Sequence, residues 1–436
     1  MKIKEELKNN FDQAELLQVK EENFKISLEN WDLQDLEQNN LQKNSLRVIN
    51  NGKLGSNTSF GDIKESYHGL LAGAEKSAEF GDEAIIDFSD KKCQAFKAEE
   101  KNNYQQVSAA EMLDFIEELK QHMEDIASDL TLFINLEKEY LEQDIYTTSQ
   151  GELADNKTNF SLSVFAPIPG GGSGLGRAFI QPEFFSELPE EELELFARDH
   201  KKSREVSCPR TGKYPVIFTP RALYFFSVSL VEGISGANIY QETSPLIDRL
   251  GEKIFSDKLS VLENPLMEEA NGRRKFDDEG IPTQKQLIID EGKLNSYIYD
   301  LEHAAKLDKT STGNGVKRTL FGSGIDTPVR PALINPVIKP GTSSRQQMIE
   351  NLEEGIMVEN IIGFHSSNYE QGHFSVQAQG FHVRKGELVG RLEDVMIAGN
   401  IYQDFKEGVE VGEKLYPGYF GYYPYLLVED IQITGE

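Results

Sequence analysis

The chain has 436 residues, enough for two domains with well-filled cores, and 38% of them are hydrophobic. Its formal net charge is -28, so its surface is strongly acidic. An acidic surface repels phosphate backbones, and the two short basic clusters, at 201–204 and 273–275, are typical of solvated loops. Composition therefore argues against a nucleic-acid partner.

The sequence carries no sign of export or of membrane insertion. Residues 1–7 mix charges without an apolar stretch, and no apolar run approaches the ~20 residues that span a bilayer. The two cysteines, Cys93 and Cys208, lie far apart, which favours reduced thiols over a disulfide framework. We therefore expect a cytoplasmic protein with no membrane partner.

The first half predicts a mixture of strands and helices. Residues 1–50 are polar with a weak helical pattern near 11–19, and a first strand follows at 45–49. The turn at 50–52 ends in Asn51-Gly52, which favours a type I′ hairpin with a return strand over 53–60. An alanine-rich helix is predicted over 63–80.

Further along, a capping box at Ser108 and Glu111 predicts the start of a helix. Strands are predicted at 130–137, 140–148 and 159–166. Another helix is indicated after Leu188-Pro189 by three consecutive glutamates, and it should end near Lys202. We place the domain boundary there, with an N-terminal domain at 1–203 and a C-terminal domain at 204–436.

The second half alternates short apolar strands with glycine-rich turns. A capping box at Ser344 and Gln347 predicts a helix that ends at Gly355. Alternating apolar residues over 374–383 change phase at Gly380, which indicates a strand with a bulge. The fold class expected is α+β, with an N-terminal mixed α/β domain with a hairpin and helices, and a C-terminal domain that is mostly β.

Metal and phosphate motifs are weak in this chain. None of the seven histidines forms HExxH, HxH or HxxxH with another, and we expect His373 and His382 to face outward from their strand. The glycine-dense run at 170–176 is not followed at once by a helix, as a phosphate-binding loop requires, so a flexible loop is favoured. No metal ligand is assigned in this chain.

Three consecutive acids, Asp277, Asp278 and Glu279, precede a glycine. Mutual repulsion between neighbouring carboxylates raises one pKa, so the cluster could provide an acid or base. A structural turn with one inward, hydrogen-bonded acid explains the same pattern equally well. Both interpretations stay open at this stage.

A series of motifs in the second half resembles the TldD/PmbA family, also called modulators of DNA gyrase. In chain order they are GKYPVIF at 212–218, GISG at 233–236, FDDEGIPT at 276–283, STGNG at 311–315, KPG at 339–341, GHFS at 372–375 and IAGN at 397–400. No single motif is diagnostic, but their order and spacing together resemble the PmbA (TldE) branch.

The resemblance implies a two-domain α+β fold and a cytoplasmic TldD–TldE pair that cleaves peptides. In that pair the TldD-type subunit holds zinc on a helix with the sequence HExxxH. The corresponding positions here are Ser227, Val228 and Glu232, so zinc is expected in a TldD-like partner and not in this chain. The helix itself is retained, because residues 223, 226, 230 and 234 are apolar at helical spacing.

Three functions are compatible with the sequence. The first is a non-metal-binding, TldE-like subunit that helps hold an extended peptide, with candidate cleft-lining residues Asp277, Asp278, Glu279, Asn314 and His373. The second is a hydrolase that uses the acids at 277–279. The third is a homodimeric peptide-binding or scaffold protein without hydrolytic activity.

Overall fold

The computed structural model describes residues 2–93, 99–168, 174–319 and 322–435. The helices are α1 Lys2–Asn10, α2 Ile63–Glu79, α3 Glu99–Gln106, α4 Ala109–Ala127, α5 Glu190–Lys202, α6 Tyr224–Ile234, α7 Gly236–Tyr240, α8 Leu301–Lys306, α9 Arg345–Glu350 and α10 Ile401–Asp404, with 3₁₀ turns at Phe364–Ser366 and Tyr369–Gln371. The first seven strands are β1 Gln13–Glu29, β2 Asp32–Asn50, β3 Lys53–Phe60, β4 Lys92–Cys93, β5 Phe133–Thr147, β6 Glu152–Pro167 and β7 Gly174–Gln181. The remaining strands are β8 Gly212–Phe218, β9 Val261–Glu263, β10 Gln286–Asp290, β11 Lys293–Leu294, β12 Gly315–Val316, β13 Arg318–Thr319, β14 Gly322–Ser323, β15 Arg330–Pro331, β16 Pro336–Ile338, β17 Glu354–Ile362, β18 His373–Arg384, β19 Glu387–Arg391, β20 Met396–Asn400, β21 Val409–Val411, β22 Tyr416–Pro417, β23 Tyr422–Tyr423 and β24 Leu426–Thr434. The α+β expectation is confirmed.

The N-terminal half is built on a sheet of long strands in the order β3-β2-β1-β5-β6-β4, with β7 also paired to β6. The predicted hairpin is confirmed: Asn50 pairs with Lys53, and both Asn51 and Gly52 have positive φ, as a type I′ turn requires. The return strand and α2 also lie where the sequence predicts them.

Two predictions in this half are wrong. The weak helical pattern at 11–19 belongs to β1, and the two strands expected at 130–137 and 140–148 are the single strand β5. β1 is hydrogen-bonded on both sides, to β2 and to β5, so its backbone groups are satisfied whatever its local propensity. Its polar side chains pair across the sheet, as in the Lys20–Glu142 ion pair at 3.0 Å.

The C-terminal half contains a closed sheet. Its strands follow the order β17-β8-β24-β20-β18, and an additional pairing of β17 with β18 closes the order on itself. A second sheet has the order β11-β10-β9-β16-β23-β22. The largest buried cluster of this half includes α6 residues such as Phe226 and Leu230 together with residues of both sheets.

The sequence predicts the starts of helices more accurately than their ends, the position of a strand bulge or the burial of strand side chains. Both capping boxes, at Ser108 and at Ser344, are confirmed, but α9 ends at Glu350 and Gly355 lies in β17. The phase change near Gly380 is confirmed, although the extra residue is Glu359 on the opposite strand. The expectation for His382 is wrong: it is fully buried and bonds Ser207, because β18 is paired on both sides there, whereas His373 is exposed as expected.

The two halves share a buried apolar cluster. Phe24, Leu136 and Phe160 of the first half pack with Ile217 and Met357 of the second. The boundary at 203/204 stays a prediction. The glycine run at 170–176 lies largely outside the described residues. Across the described part of the chain, no helix is long and apolar enough to cross a membrane.

Candidate functional site

Helix α6 carries the three positions that correspond to HExxxH. It forms as the sequence predicts, and more of its sides are buried than its apolar stripe indicates. Leu223, Phe226, Leu230 and Ile234 are all buried, and so are Phe225, Ser227 and Ser229 on the other sides of the helix. A helix that is buried on several sides is fixed by packing, so the position of each of its side chains is set by the surrounding core.

Each of the three side chains that correspond to HExxxH has a defined environment. The buried Ser227 hydroxyl donates to the Tyr423 hydroxyl at 2.7 Å. Val228 packs against the apolar core. The Glu232 carboxylate accepts from the Asn238 side chain at 2.6 Å, which ties the end of α6 to α7.

These three side chains line a cavity of about 70 Å³, which we call the α6 cavity. Its remaining lining is Val231, Arg318, Thr319, Arg330, Pro331, Ala332, Leu333, Pro336 and Phe420. Two guanidinium groups, from Arg318 and Arg330, face one carboxylate, from Glu232. The lining is therefore net positive, although the protein as a whole has a charge of -28.

Arg318 is held without a carboxylate partner. It donates to the carbonyl of Leu333, and its guanidinium lies over the Phe420 ring at 5.3 Å. Burial, and next the neighbouring Arg274 guanidinium, lower the pKa of Arg318. Among the described residues no carboxylate lies within 4.0 Å of it.

The residues of the α6 cavity do not fit a zinc ion. Zinc in proteins is held by thiolate, imidazole and carboxylate donors, of which Glu232 is the single example in this lining, and its carboxylate is already bonded to Asn238. Two guanidinium groups would also repel a dication. Within the ranges that the structure describes, no group of three His, Cys, Asp or Glu side chains could hold a metal ion elsewhere.

The acids at 277–279 are all buried, and the oxygens that the structure accounts for are engaged. Asp277 accepts from the backbone N–H groups of Glu279 and Ile281, and from that of Gly315. Asp278 accepts from Gln143 at 3.1 Å and from Arg274 at 3.0 Å. Their geometry is that of a turn tied into its surroundings.

Glu279 joins the two halves of the molecule. The Arg47 guanidinium donates to Glu279 at 2.8 Å and to Glu15 at 2.8 and 2.9 Å. The other Glu279 oxygen accepts from the backbone N–H of Leu301 at 2.7 Å. Burial raises the pKa of Glu279 to about 7, against the opposing effect of Arg47. A buried and fully bonded carboxylate of this kind stabilises the contact between β1, β2 and the C-terminal half.

The other two candidate residues lie apart from each other. Asn314 is fully buried beside the acidic turn, where its side chain donates to Ala332 and accepts from Thr312. His373 is exposed at the start of β18 and lines a separate cavity with Asp404 and Asp430. The structure therefore does not bring the sequence-predicted residues into one site.

A second concave surface, the β7 groove, was missed in the sequence. It has a volume of about 610 Å³ and is lined by Gly176–Ile180 of β7, by Pro220 and Arg221, by Tyr416–Tyr419 and by Tyr425, with other residues of β6 and α5. In the described part of the chain β7 pairs with β6 alone, so its other edge carries unpaired backbone groups. The tyrosine- and glycine-rich segment at 416–425 was the available signal.

Buried charges lie beneath the β7 groove. Arg177 donates to Asp199 at 3.0 Å and to Glu359 at 3.2 Å, and Arg345 donates to Asp199 at 2.9 Å. Burial raises the pKa of Asp199 despite these two guanidinium groups. The cluster fixes β7 against α5, α9 and β17, so the groove is a rigid feature of the fold.

Comparisons with known proteins identify the family. Residues 211–435 match the PmbA/TldA metallopeptidase C-terminal domain. That domain covers more than half of the chain, and the protein belongs to the PmbA/TldD family of metallopeptidases. The resemblance of the second-half motifs is thereby confirmed.

Individual relatives agree with this assignment. A metalloprotease of Archaeoglobus fulgidus is 23% identical over 93% of both chains. A metalloprotease PmbA homolog of Buchnera aphidicola is 31% identical over 44% of this chain and 40% of its own. This chain spans about half the length of several curated relatives that it matches. The crystal structure of TldE from Thermococcus kodakarensis superimposes with a TM-score of 0.85 over 100% of this chain and 99% of that one, at 22% identity, which shows the shared fold.

Proposed function

We propose that this protein is a TldE-like subunit without a zinc site of its own, which pairs in the cytoplasm with a zinc-bearing, HExxxH-containing TldD-like chain and helps hold an extended peptide for cleavage. The zinc of the pair resides in that partner. The observation that carries the proposal is the α6 cavity: the helix is retained, but Ser227 is bonded to Tyr423 and two arginines line the space beside it.

The β7 groove is the proposed place for the peptide. An extended peptide can add to an exposed strand edge through main-chain hydrogen bonds, which do not depend on the peptide's sequence. The free edge of β7 provides such groups along one wall, and the aromatic rings of Tyr416 and Tyr419 provide apolar contacts on another. This combination suits unfolded peptides of varied sequence.

The proposed surface for the partner chain is the outer edge of β2. On this side β2 pairs with β3, and that pairing starts only at Lys43. Within the described residues, the stretch of β2 between 32 and 41 therefore has no strand paired to its outer edge. Three exposed leucines, Leu33, Leu36 and Leu41, lie along the same stretch. A long unpaired edge with exposed apolar side chains is prone to pair with another chain.

The carboxylate-dependent hydrolase is disfavoured by geometry. The acids at 277–279 are buried and bonded to backbone groups, to Arg47 and to Arg274, so they offer no free oxygen to a substrate. A peptidase assay of the purified chain tests this point. Turnover that is independent of zinc and disappears in Asp278→Ala would favour the hydrolase.

The proposal is tested by co-expression with an HExxxH-containing paralogue, followed by size exclusion and metal analysis. The expected result is a 1:1 complex that contains zinc. Separate elution, with this chain eluting as a dimer of itself and the paralogue fully active alone, would favour the homodimeric binding or scaffold function instead.

A further inference from the structure

The α6 cavity has a positive lining in a strongly acidic protein, and this is the feature that the zinc-free helix leaves unexplained. Arg318 has five N–H donors, and a guanidinium cannot lose its proton inside a protein. One of its nitrogens donates to the Leu333 carbonyl. Arg318 is half-buried, and a charge partly withdrawn from water without a counter-charge is costly, so its guanidinium at the wall of a cavity suits an anion.

The nearby carboxylates do not neutralise Arg318. Glu263 raises the pKa of Arg318 through its charge, but its carboxylate accepts hydrogen bonds from the backbone N–H groups of Ile334 and Asn335. Burial raises the pKa of Glu263 to about 7, so it is a weak counter-charge near neutral pH. Asp278 is bonded to Arg274.

The α6 cavity is large enough for a carboxylate. Its volume of about 70 Å³ is several times the ~10–15 Å³ that one water molecule needs on the same measure, so a carboxylate group fits this space. The planar fork of a guanidinium matches the two oxygens of a carboxylate, and such paired bonds are among the strong hydrogen bonds in proteins.

Consecutive residues of one segment, 417–420, line the β7 groove and the α6 cavity. Pro417, Gly418 and Tyr419 line the groove, and the next residue, Phe420, lines the α6 cavity beneath the Arg318 guanidinium. We propose that Arg318 and Arg330 bind the terminal carboxylate of a peptide that lies in the β7 groove. This inference rests on the proposed peptide-holding function and adds to it a preference for a free C-terminus.

The test measures binding of an unstructured hexapeptide, labelled at its N-terminus, to the purified full chain by fluorescence anisotropy. The peptide is prepared with a free carboxylate and as the C-terminal amide. Variants are Arg318→Gln and Arg330→Gln, and the matched control is Arg210→Gln, an exposed arginine outside both cavities. Arg330 is exposed, so its replacement tests the site even where Arg318→Gln disturbs folding.

We expect the free acid to bind at least tenfold more tightly than the amide, because hydrogen bonds to a charged group are stronger than hydrogen bonds between neutral groups. Arg330→Gln should remove most of this difference, and Arg210→Gln should leave it unchanged. Equal binding of acid and amide overturns the carboxylate site but leaves the groove proposal intact. If neither peptide binds, both the carboxylate site and the proposed peptide groove are overturned. Co-elution with the paralogue tests the subunit function independently of either result. Competition by inorganic phosphate that exceeds competition by acetate overturns the carboxylate assignment in favour of a phosphate.

Discussion

The Ser227 hydroxyl donates to the buried Tyr423 hydroxyl at 2.7 Å, and this bond joins α6 to the short strand β23. Both side chains are shielded from water, with Tyr423 fully buried. The bond engages Ser227, the first of the three helix positions that correspond to HExxxH. The position therefore serves packing in this chain. Loss of the hydrogen bond can be measured as a change in the free energy of unfolding.

Ser227→Ala should lower the free energy of unfolding by about 1–3 kcal/mol, because it leaves the Tyr423 hydroxyl buried with one partner fewer. Ser229→Ala is the matched control: it lies on the same helix and is fully buried, and its hydroxyl has no hydrogen-bond partner among the described residues. The control should be close to neutral. Urea unfolding of the two variants provides the comparison, and equal losses would contradict the assignment.

Arg47→Met should destabilise the protein by about 3–5 kcal/mol, because it leaves Glu15 and Glu279 buried without their shared cation. The control is Arg384→Met, at a half-exposed arginine that lies 3.7 Å from Glu354, where a loss below about 1 kcal/mol is expected. Unfolding in urea measures both. A small effect of Arg47→Met would mean that this ion pair does not hold the halves together.

Glu263→Gln should become more stabilising relative to the native chain as the pH rises. Burial raises the pKa of Glu263 to about 7 in the folded protein, from 4.5. The folded state thus holds this proton more tightly than the unfolded state, and the resulting stability is present below pH ~4.5 and lost as the pH rises through about 7. The difference corresponds to about 3 kcal/mol at most.

Unfolding of both chains at pH 5, 6, 7 and 8 tests this prediction, since the titration of all other groups cancels in the difference. Stability curves that run parallel across this range would show that Glu263 titrates normally.

The partner surface is tested on the outer edge of β2. Leu36→Glu combined with Leu41→Glu should weaken the complex with an HExxxH paralogue at least tenfold, because charges on an edge strand oppose pairing. Leu113→Glu, at an equally exposed leucine on α4, should leave the affinity unchanged. Sedimentation of mixed chains measures the affinity, and identical values for the two variants would remove β2 from the interface.

Local signals in the sequence predict local structure well. The capping boxes at Ser108 and Ser344 and the Asn51-Gly52 turn are confirmed because each depends on residues within four positions. The strand β1 was missed because its stability comes from pairing with β2 and β5, which no local pattern contains. His382 was misplaced for the same reason.

The candidate site shows the same difference between features that depend on one local segment and features that depend on contacts between distant segments. The sequence predicts α6 and the absence of HExxxH, since both are properties of one segment. The α6 cavity joins α6 to Arg318, Arg330 and Phe420, which are distant in the chain, so their proximity follows from the fold alone. The sequence shows the acids at 277–279 as a cluster, but their roles depend on hydrogen bonds to Arg47 and Gln143 of the other half.

The peptidase rate of a purified HExxxH paralogue, titrated with this chain, tests most directly whether this chain acts as the zinc-free subunit of a peptidase. We expect the rate to rise and to saturate at a 1:1 ratio, while this chain alone shows no turnover. A paralogue that is fully active alone, with a rate that does not change on addition of this chain, would contradict it.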